Sequence, residues 1–461
     1  MTRCLWLTPA MFSLTPSDGR HRIWRRIPLV RAHTPPPGFA VSQLFRVLPA
    51  VALFAVAVGA GLTGCGKDKG NGDGTGPQAG DPTTIKIVSS LPRTGSAKAQ
   101  TDAIVHGIRM ALEEVGSKVG DFKIIYEDLD DATAAAGSWT PELETANAEQ
   151  AVKNPDTMIY IGPYNSGAAK QSVPKLNAGG VLMISPAVTG PGFTKPGLGD
   201  PGEPEVYQKN GKNFTRVVPA DDLQGPLGAV WAKQLGFKKV VVLDDNETYG
   251  KGIATLFKEK CKELGIKVIG KQDSIDTSKA HFRELVTGIA SGEKPDLIYF
   301  GGTSQSKGPN LAKDIATLLP GVAIMVPDGC YEQTFIQQVG AATFKTLKCY
   351  VTFGGVPPDK ATGKGKEFVD KYKAKFEKMP EGYAMYGYEA AKVALEAIRK
   401  AGKKDRAAIK DACFAIKDFD GALGKWSFDA NGDTTARTMS GSTVKDGDFA
   451  FVAQLDELEK K

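Results

Sequence analysis

The chain has 461 residues, 41% of them hydrophobic and 24% charged, which excludes a mostly disordered protein and implies more than one hydrophobic core. Its formal net charge of +6 sits in the first 64 residues, where seven arginines face the single acid Asp18; the other 51 basic and 51 acidic residues cancel. A neutral body argues against a nucleic-acid partner, because phosphate binding needs a concentrated basic face.

In chain order, the first signal is the apolar run VLPAVALFAVAVGAGL, Val47 to Leu62, preceded by Arg46 and followed by Thr63-Gly64-Cys65. The run is short for a bilayer span and suits the apolar segment of an export signal. Leu62-Thr63-Gly64-Cys65 resembles the lipobox of bacterial lipoproteins, in which the cysteine thiol receives diacylglycerol. Residues 1–64 are therefore expected to be leader and signal peptide, with the true start near Val41, and Cys65 the lipidated residue; a buried core helix is the alternative reading of the run. Residues 65–82, rich in Gly and polar side chains, form a flexible tether.

From Thr83 onward, strand and helix patterns alternate. TIKIVSS is followed by a helix with Ile104, Ile108, Ala111 and Val115 at helical spacing, then by DFKIIYED, a helix around Glu142 to Val152, TMIYIG, AAKQSVPKLNA and VLMIS. Such succession predicts a parallel sheet covered on both faces. Thr189 to Asn213 is too rich in Gly and Pro for regular structure and reads as a surface excursion. FTRVVPA then opens a second alternating series through KKVVVLDD, IKVIG, PDLIYFGG, VAIMVP and CYVTFGG, before two long helices and a β-rich end. The expected fold is α/β with two lobes, each a mostly parallel sheet flanked by helices, joined by a multi-strand hinge: residues 83–220 with 354–437 in one lobe, 221–353 with 438–461 in the other. A cleft between hinged lobes is a natural ligand site.

In open α/β sheets, ligands bind beyond the carboxyl ends of strands, where helix amino termini point outward. Four such corners stand out: IGPYNSGAA, ISPAVTG, DDNETYGKG and VPDGCYE. Ser166 and Thr189 bring hydroxyls and Ala187 a small side chain that allows close backbone approach, a set suited to a carboxylate. Asp328 offers the complementary charge for an ammonium. Taken singly, each corner reads equally as ordinary helix capping; together they favour a site.

Other chemistries find less support. After the leader the only histidines are His106 and His281, each read as a helix-surface residue, so no histidine-ligated metal and no cofactor is expected. IGPYNSG lacks the spacing of a nucleophile elbow, and no P-loop is present. Glu127, Asp128, Asp130 and Asp131 in YEDLDDA read as a solvated acidic loop rather than a cation site. FDANGDTT, with Asp429, Asn431 and Asp433, lacks the Gly and Glu of a calcium loop and reads as a turn. Cys330 and Cys349, one after a strand and one in the next, are either a disulfide or two buried thiols.

The ordered series IKIVSSLPRTGS, GIRMALEEV, YIGPYNSGAA, LMISPAVT, DDLQGPLGA, VVLDDNETYGKG, YFGGTSQS and VPDG resembles the solute-binding proteins of branched-chain amino-acid ABC transporters, of the type I periplasmic binding protein fold. The resemblance runs from about Thr83 to the end. It implies that Ser166, Ala187 and Thr189 bind a ligand carboxylate, that Asp328 binds its ammonium, and that Tyr249 is a contact from the second lobe. It also puts Gln100 where relatives carry an aromatic, Thr303 where they carry tyrosine, and Tyr164 and Tyr383 near the contacts to the ligand's side chain. The resemblance implies a monomeric, non-enzymatic receptor of the cell envelope, tethered by lipid, carrying a neutral and by first expectation branched-chain amino acid to ABC permease subunits. A sensory module of the same fold and a hydrolase built on Ser166 are the rival expectations.

Overall fold

The computed structural model describes residues 80–458; the leader, Cys65 and the tether through residue 79 lie outside the described residues. The first series comprises β1 (Thr84–Leu91), α1 (Lys98–Glu113), β2 (Lys118–Val119), β3 (Phe122–Asp130), α2 (Pro141–Lys153), β4 (Thr157–Ile161), α3 (Ser166–Ala178), β5 (Leu182–Ser185) and β6 (Phe214–Arg216). Its six strands form one sheet in the order β2-β3-β1-β4-β5-β6, parallel except for the β2–β3 hairpin. β4 and β5 are buried along their whole length because helices cover both faces, which explains their uninterrupted apolar runs.

The second series runs α4 (Asp221–Gln234), β7 (Lys239–Asp244), α5 (Thr248–Glu263), β8 (Lys267–Val268), β9 (Asp273–Ser274), α6 (Arg283–Ser291), β10 (Leu297–Gly301), α7 (Gly308–Leu318), β11 (Ala323–Val326), α8 (Gln333–Val339) and β12 (Cys349–Gly354). The chain then returns to the first lobe with α9 (Gly363–Phe376), α10 (Ala384–Ala401), α11 (Arg406–Phe414) and the hairpin of β13 (Phe419–Gly421) and β14 (Gly424–Trp426). It ends in β15 (Met439–Lys445), antiparallel to β12, and β16 (Asp448–Gln454), antiparallel to β15, which extend the second sheet to β16-β15-β12-β11-β10-β7-β8. The backbone thus passes between lobes after β6, after β12 and before β15.

The return of α10 against α1 requires close approach. A Cβ on Gly107 would lie 2.2 Å from the Ala384 carbonyl oxygen, and one on Gly387 would lie 2.3 Å from that of Ile104, so each helix presents a glycine to the other's backbone. This contact fixes Tyr383, the residue that opens α10, on the first lobe.

Two local expectations are corrected and one open alternative is resolved. β3 pairs with β1 over eight positions, Thr84 with Lys123 through Leu91 with Asp130, so Glu127, Asp128 and Asp130 lie on a strand and Asp131 beyond it is fully buried, not in a solvated loop. His106 is half-buried, stacked on Phe376 at 4.1 Å with Nδ1 3.1 Å from the Tyr372 hydroxyl, because α9 packs over that face of α1. Cys330 and Cys349 are unbonded and buried: the Cys330 Sγ faces the Gly302 carbonyl at 3.7 Å while Cys349 opens β12 in the core, so of the two alternatives the free thiols are found. The excursion after Thr189 is irregular but anchored, since Phe193 is buried and stacks on Tyr207 at 5.2 Å. In FDANGDTT the Asp429 carboxylate accepts the backbone N–H groups of Asn431 and Asp433, which makes it a turn.

Candidate functional site

The strand-to-helix corners of both lobes meet at one small cavity. β4 ends at Ile161 and turns through Gly162, whose φ of +139° and 2.5 Å approach of a built Cβ to the Ser90 carbonyl oxygen leave no room for a side chain. This turn delivers Tyr164, Asn165 and Ser166 to the cavity. The β5 corner adds Ala187 and Thr189, its backbone folded by Ser185, whose Oγ accepts from Val188 N at 2.8 Å. The Ser166 Oγ accepts from Gly190 N at 3.3 Å and so joins the two corners. From the second lobe come Tyr249 in the first turn of α5, Thr303 beyond β10, and Asp328 and Gly329 beyond β11; Tyr383 completes the wall.

Of the residues singled out from sequence, Tyr164, Ser166, Ala187, Thr189, Tyr249, Thr303, Asp328 and Tyr383 line this cavity together. Gln100 does not reach the wall. It stands one layer behind, its Nε2 donating to the Tyr164 hydroxyl at 2.9 Å. Two lining residues were not singled out, Asn165 and Gly329. Asn165 opens α3 without capping it; instead its Nδ2 donates across the cleft to Gln305 Oε1 at 3.0 Å, leaving the first-turn N–H groups of α3 for a guest.

The charge at the centre is negative. Asp328 is 1% exposed, and its two carboxylate oxygens accept from the hydroxyls of Tyr249 and Tyr383, one from each lobe. Burial pushes its carboxyl above the ordinary range, and the tyrosines, with Gly329 N, only partly offset this. Asp221, in the first turn of α4 with its N–H donated to the Thr189 carbonyl at 2.9 Å, is also fully buried and has no protein partner for either oxygen. Burial, and then the charge of Asp328, raise it well above its usual value. The sequence signal for Asp221 was its place in ADDLQG, at the exit from the first lobe.

The cavity is closed down, with about 20 Å³ open to a water-sized guest. That is room for about one water, not an organic solute. The lobes must therefore part before an organic guest can enter. Toward solvent, a wider vestibule of about 170 Å³ continues past Asn165 and Ser166 to Trp139, Asp245 and Glu247. Neither imidazole stands beside Ser166: His106 packs on Phe376, and His281 lies 4.0 Å from Asp314.

The buried acids make a pH prediction. Burial raises Glu144 and Asp245 to about 7 and Glu332 to about 8. The folded form therefore takes up protons that the unfolded chain does not hold, so the stability gained is complete below the ordinary carboxylate range and lost as pH rises through about 7 to 8. His106, lowered by burial and by Lys378, opposes this as a single group. The unliganded protein is expected to melt a few degrees higher at pH 5.5 than at pH 8 in scanning calorimetry; a melting point that rises with pH would contradict it.

Comparison with known proteins sets this geometry in context. A family model described as periplasmic binding protein matches residues 84–448. The Leu/Ile/Val-binding protein BraC3 of Rhizobium johnstonii is 30% identical over 369 residues, 79% of this chain and 92% of its own. The crystal structure of the leucine-binding protein LivK from Thermotoga maritima superposes with a TM-score of 0.70 at 28% identity, covering 80% of this chain and 98% of that one. A solute-binding protein of an ABC transporter from R. palustris, solved with benzoate, shares the fold with a TM-score of 0.67 at 19% identity over 81% of this chain and 96% of its own.

Proposed function

We propose that this chain, which belongs to the periplasmic binding protein family, is an extracytoplasmic receptor that closes its two lobes over an α-amino acid and presents it to the permease of an ABC importer. The observation that carries the reading is the opposition of two chemistries across one cavity. On the first lobe, Ser166, Thr189 and the uncapped start of α3 offer neutral donors for a carboxylate; on the second, Asp328 offers a buried anion for an ammonium. A guest holding both groups a short distance apart binds both lobes at once, and so stabilises the closed form that a transporter reads. The names of the Rhizobium and Thermotoga relatives support an amino acid. Cys65 as a lipid anchor, with a glycine-rich tether holding the receptor near a membrane surface, belongs to the same proposal.

Titration calorimetry of ligand-stripped protein against the common amino acids, their amides and decarboxylated amines, and benzoate tests it. Binding is expected only where α-carboxylate and α-ammonium occur together. Binding of benzoate or of the amines with comparable affinity would overturn the zwitterion reading.

A further inference from the structure

The small cavity has little room to spare on its inner side. The rings of Tyr164 and Tyr383 meet edge to face at 5.9 Å, Tyr383 stands edge-on to Phe353 at 5.6 Å, and a Cβ on Gly329 would lie 2.8 Å from Thr303 Cγ2. Four of its lining residues, Asn165, Ser166, Tyr249 and Thr303, also line the vestibule of about 170 Å³. Space for the third substituent of a bound amino acid therefore lies toward the vestibule.

The vestibule is acidic. Asp245 in its wall is 2% exposed; its carboxylate accepts the Ser306 hydroxyl at 2.6 Å and Glu247 N at 3.0 Å, and the charges nearest to it are the like charges of Glu247 and Asp244. Glu247, exposed at the rim, reaches from the second lobe to the first turn of α3. A Cβ on Gly167 would lie 3.2 Å from Glu247 Oε2 and 2.5 Å from Trp139 Cζ2, so carboxylate and indole meet over that turn. Among the described residues Lys307 is the only basic one in the vestibule wall, and it is exposed. An amino acid with an uncharged side chain answers Asp328 with its ammonium but sets its own carboxylate at Ser166, the residue before Gly167 and so beside Glu247. Two anions brought together in a narrow cleft repel. A cation between them turns the repulsion into attraction, and Trp139 adds an aromatic ring at the same place.

We propose that the amino acid carried by this protein has a side chain ending in a second positive charge, an ammonium or guanidinium that lies in the vestibule beside Trp139, Glu247 and Asp245. This rests on the amino-acid reading above and names the class of amino acid. Such a guest brings two cations and one anion to walls that hold Asp328, Asp245 and Glu247 against the single exposed Lys307. Leucine, isoleucine and valine bring no second cation and are the weaker ligands.

The test is calorimetry of ligand-stripped protein with two pairs matched in shape, arginine against citrulline and lysine against norleucine, and with leucine, isoleucine and valine, repeated on Glu247→Gln and Trp139→Leu. Arginine or lysine is expected to bind at least tenfold tighter than its uncharged partner and than leucine. Glu247→Gln is expected to weaken that cationic ligand tenfold or more while leaving the uncharged ones within threefold, and Trp139→Leu to narrow the same gap. A preference smaller than tenfold, or one that favours an uncharged amino acid, would overturn this inference and leave the receptor function standing. So would a Glu247→Gln variant that keeps the gap, or one that weakens charged and uncharged ligands alike, since Glu247 would then be only a clasp between the lobes. Failure of all α-amino acids to bind would overturn both.

Discussion

Asp328→Asn is expected to weaken amino-acid binding by roughly 30-fold to several thousand-fold, about 2–5 kcal/mol, without unfolding the protein. The carboxylate is buried at the point where the lobes meet, and its oxygens are already held by Tyr249 and Tyr383, so an ammonium that arrives there meets a preoriented acceptor. Asparagine keeps the shape and can still bond the tyrosines, but it supplies no charge, and the guest's ammonium would be buried unpaired. The same substitution removes an ionisable group that burial already disfavours, so the melting point of the unliganded protein should hold or rise. Calorimetry and thermal unfolding on one preparation separate the two effects. An affinity within threefold of the parent would take Asp328 out of the site.

Asp433→Ala is expected to destabilise the fold by about 3–5 kcal/mol. Arg216, fully buried at the end of β6, donates from Nε to Asp433 Oδ1 at 2.7 Å and from one terminal nitrogen to the carbonyls of Val188 and Gly190 at 3.0 and 2.8 Å. Thr194 and Lys195 complete the cluster, with the Thr194 hydroxyl 3.0 Å from the second Asp433 oxygen. Removing the carboxylate leaves a buried guanidinium without its counter-charge. Because the same guanidinium holds the carbonyls on either side of Thr189, binding should weaken along with stability. Burial works against the charged form of Asp433, yet Arg216 and Lys195 hold its carboxyl below the ordinary value. Its contribution is therefore present above the usual carboxylate range and lost as pH falls through the lowered value. Urea unfolding at pH 7 should show a clear drop in midpoint, and an unchanged midpoint would mean that the cluster adds nothing.

Much of the cavity was legible because alternation of strand and helix determines which loops gather. Ser166, Thr189, Tyr249 and Asp328 follow four different strands, β4, β5, β7 and β11, all at carboxyl ends, and the two sheets bring these ends face to face. What escaped the sequence depends on partners far away along it. Asn165 reads as a helix cap until Gln305, 140 residues on, accepts its amide. Asp221 and Glu332 look like surface acids in the sequence, and only the tertiary fold buries them. The acidic stretch from Glu127 to Asp131 looked like a loop because its charges hid a strand whose order comes from pairing with β1. Cys330 and Cys349 were open to two readings from spacing alone, since neighbouring strands bring many residues close but orient few thiols toward each other.

The interleaved path of the backbone has a further consequence for how the molecule is assembled. The first lobe needs α10, whose glycine Gly387 seats against α1 nearly 300 residues earlier, and the second sheet has an open edge at β12 until β15 is laid beside it. Neither half is a contiguous stretch of chain, so neither can be cut out as a working fragment, and a nascent polypeptide emerging from its amino end must wait for almost its last strand before either core is sealed. A protein shortened by its final twenty residues would lose the edge of one lobe, not a dispensable tail.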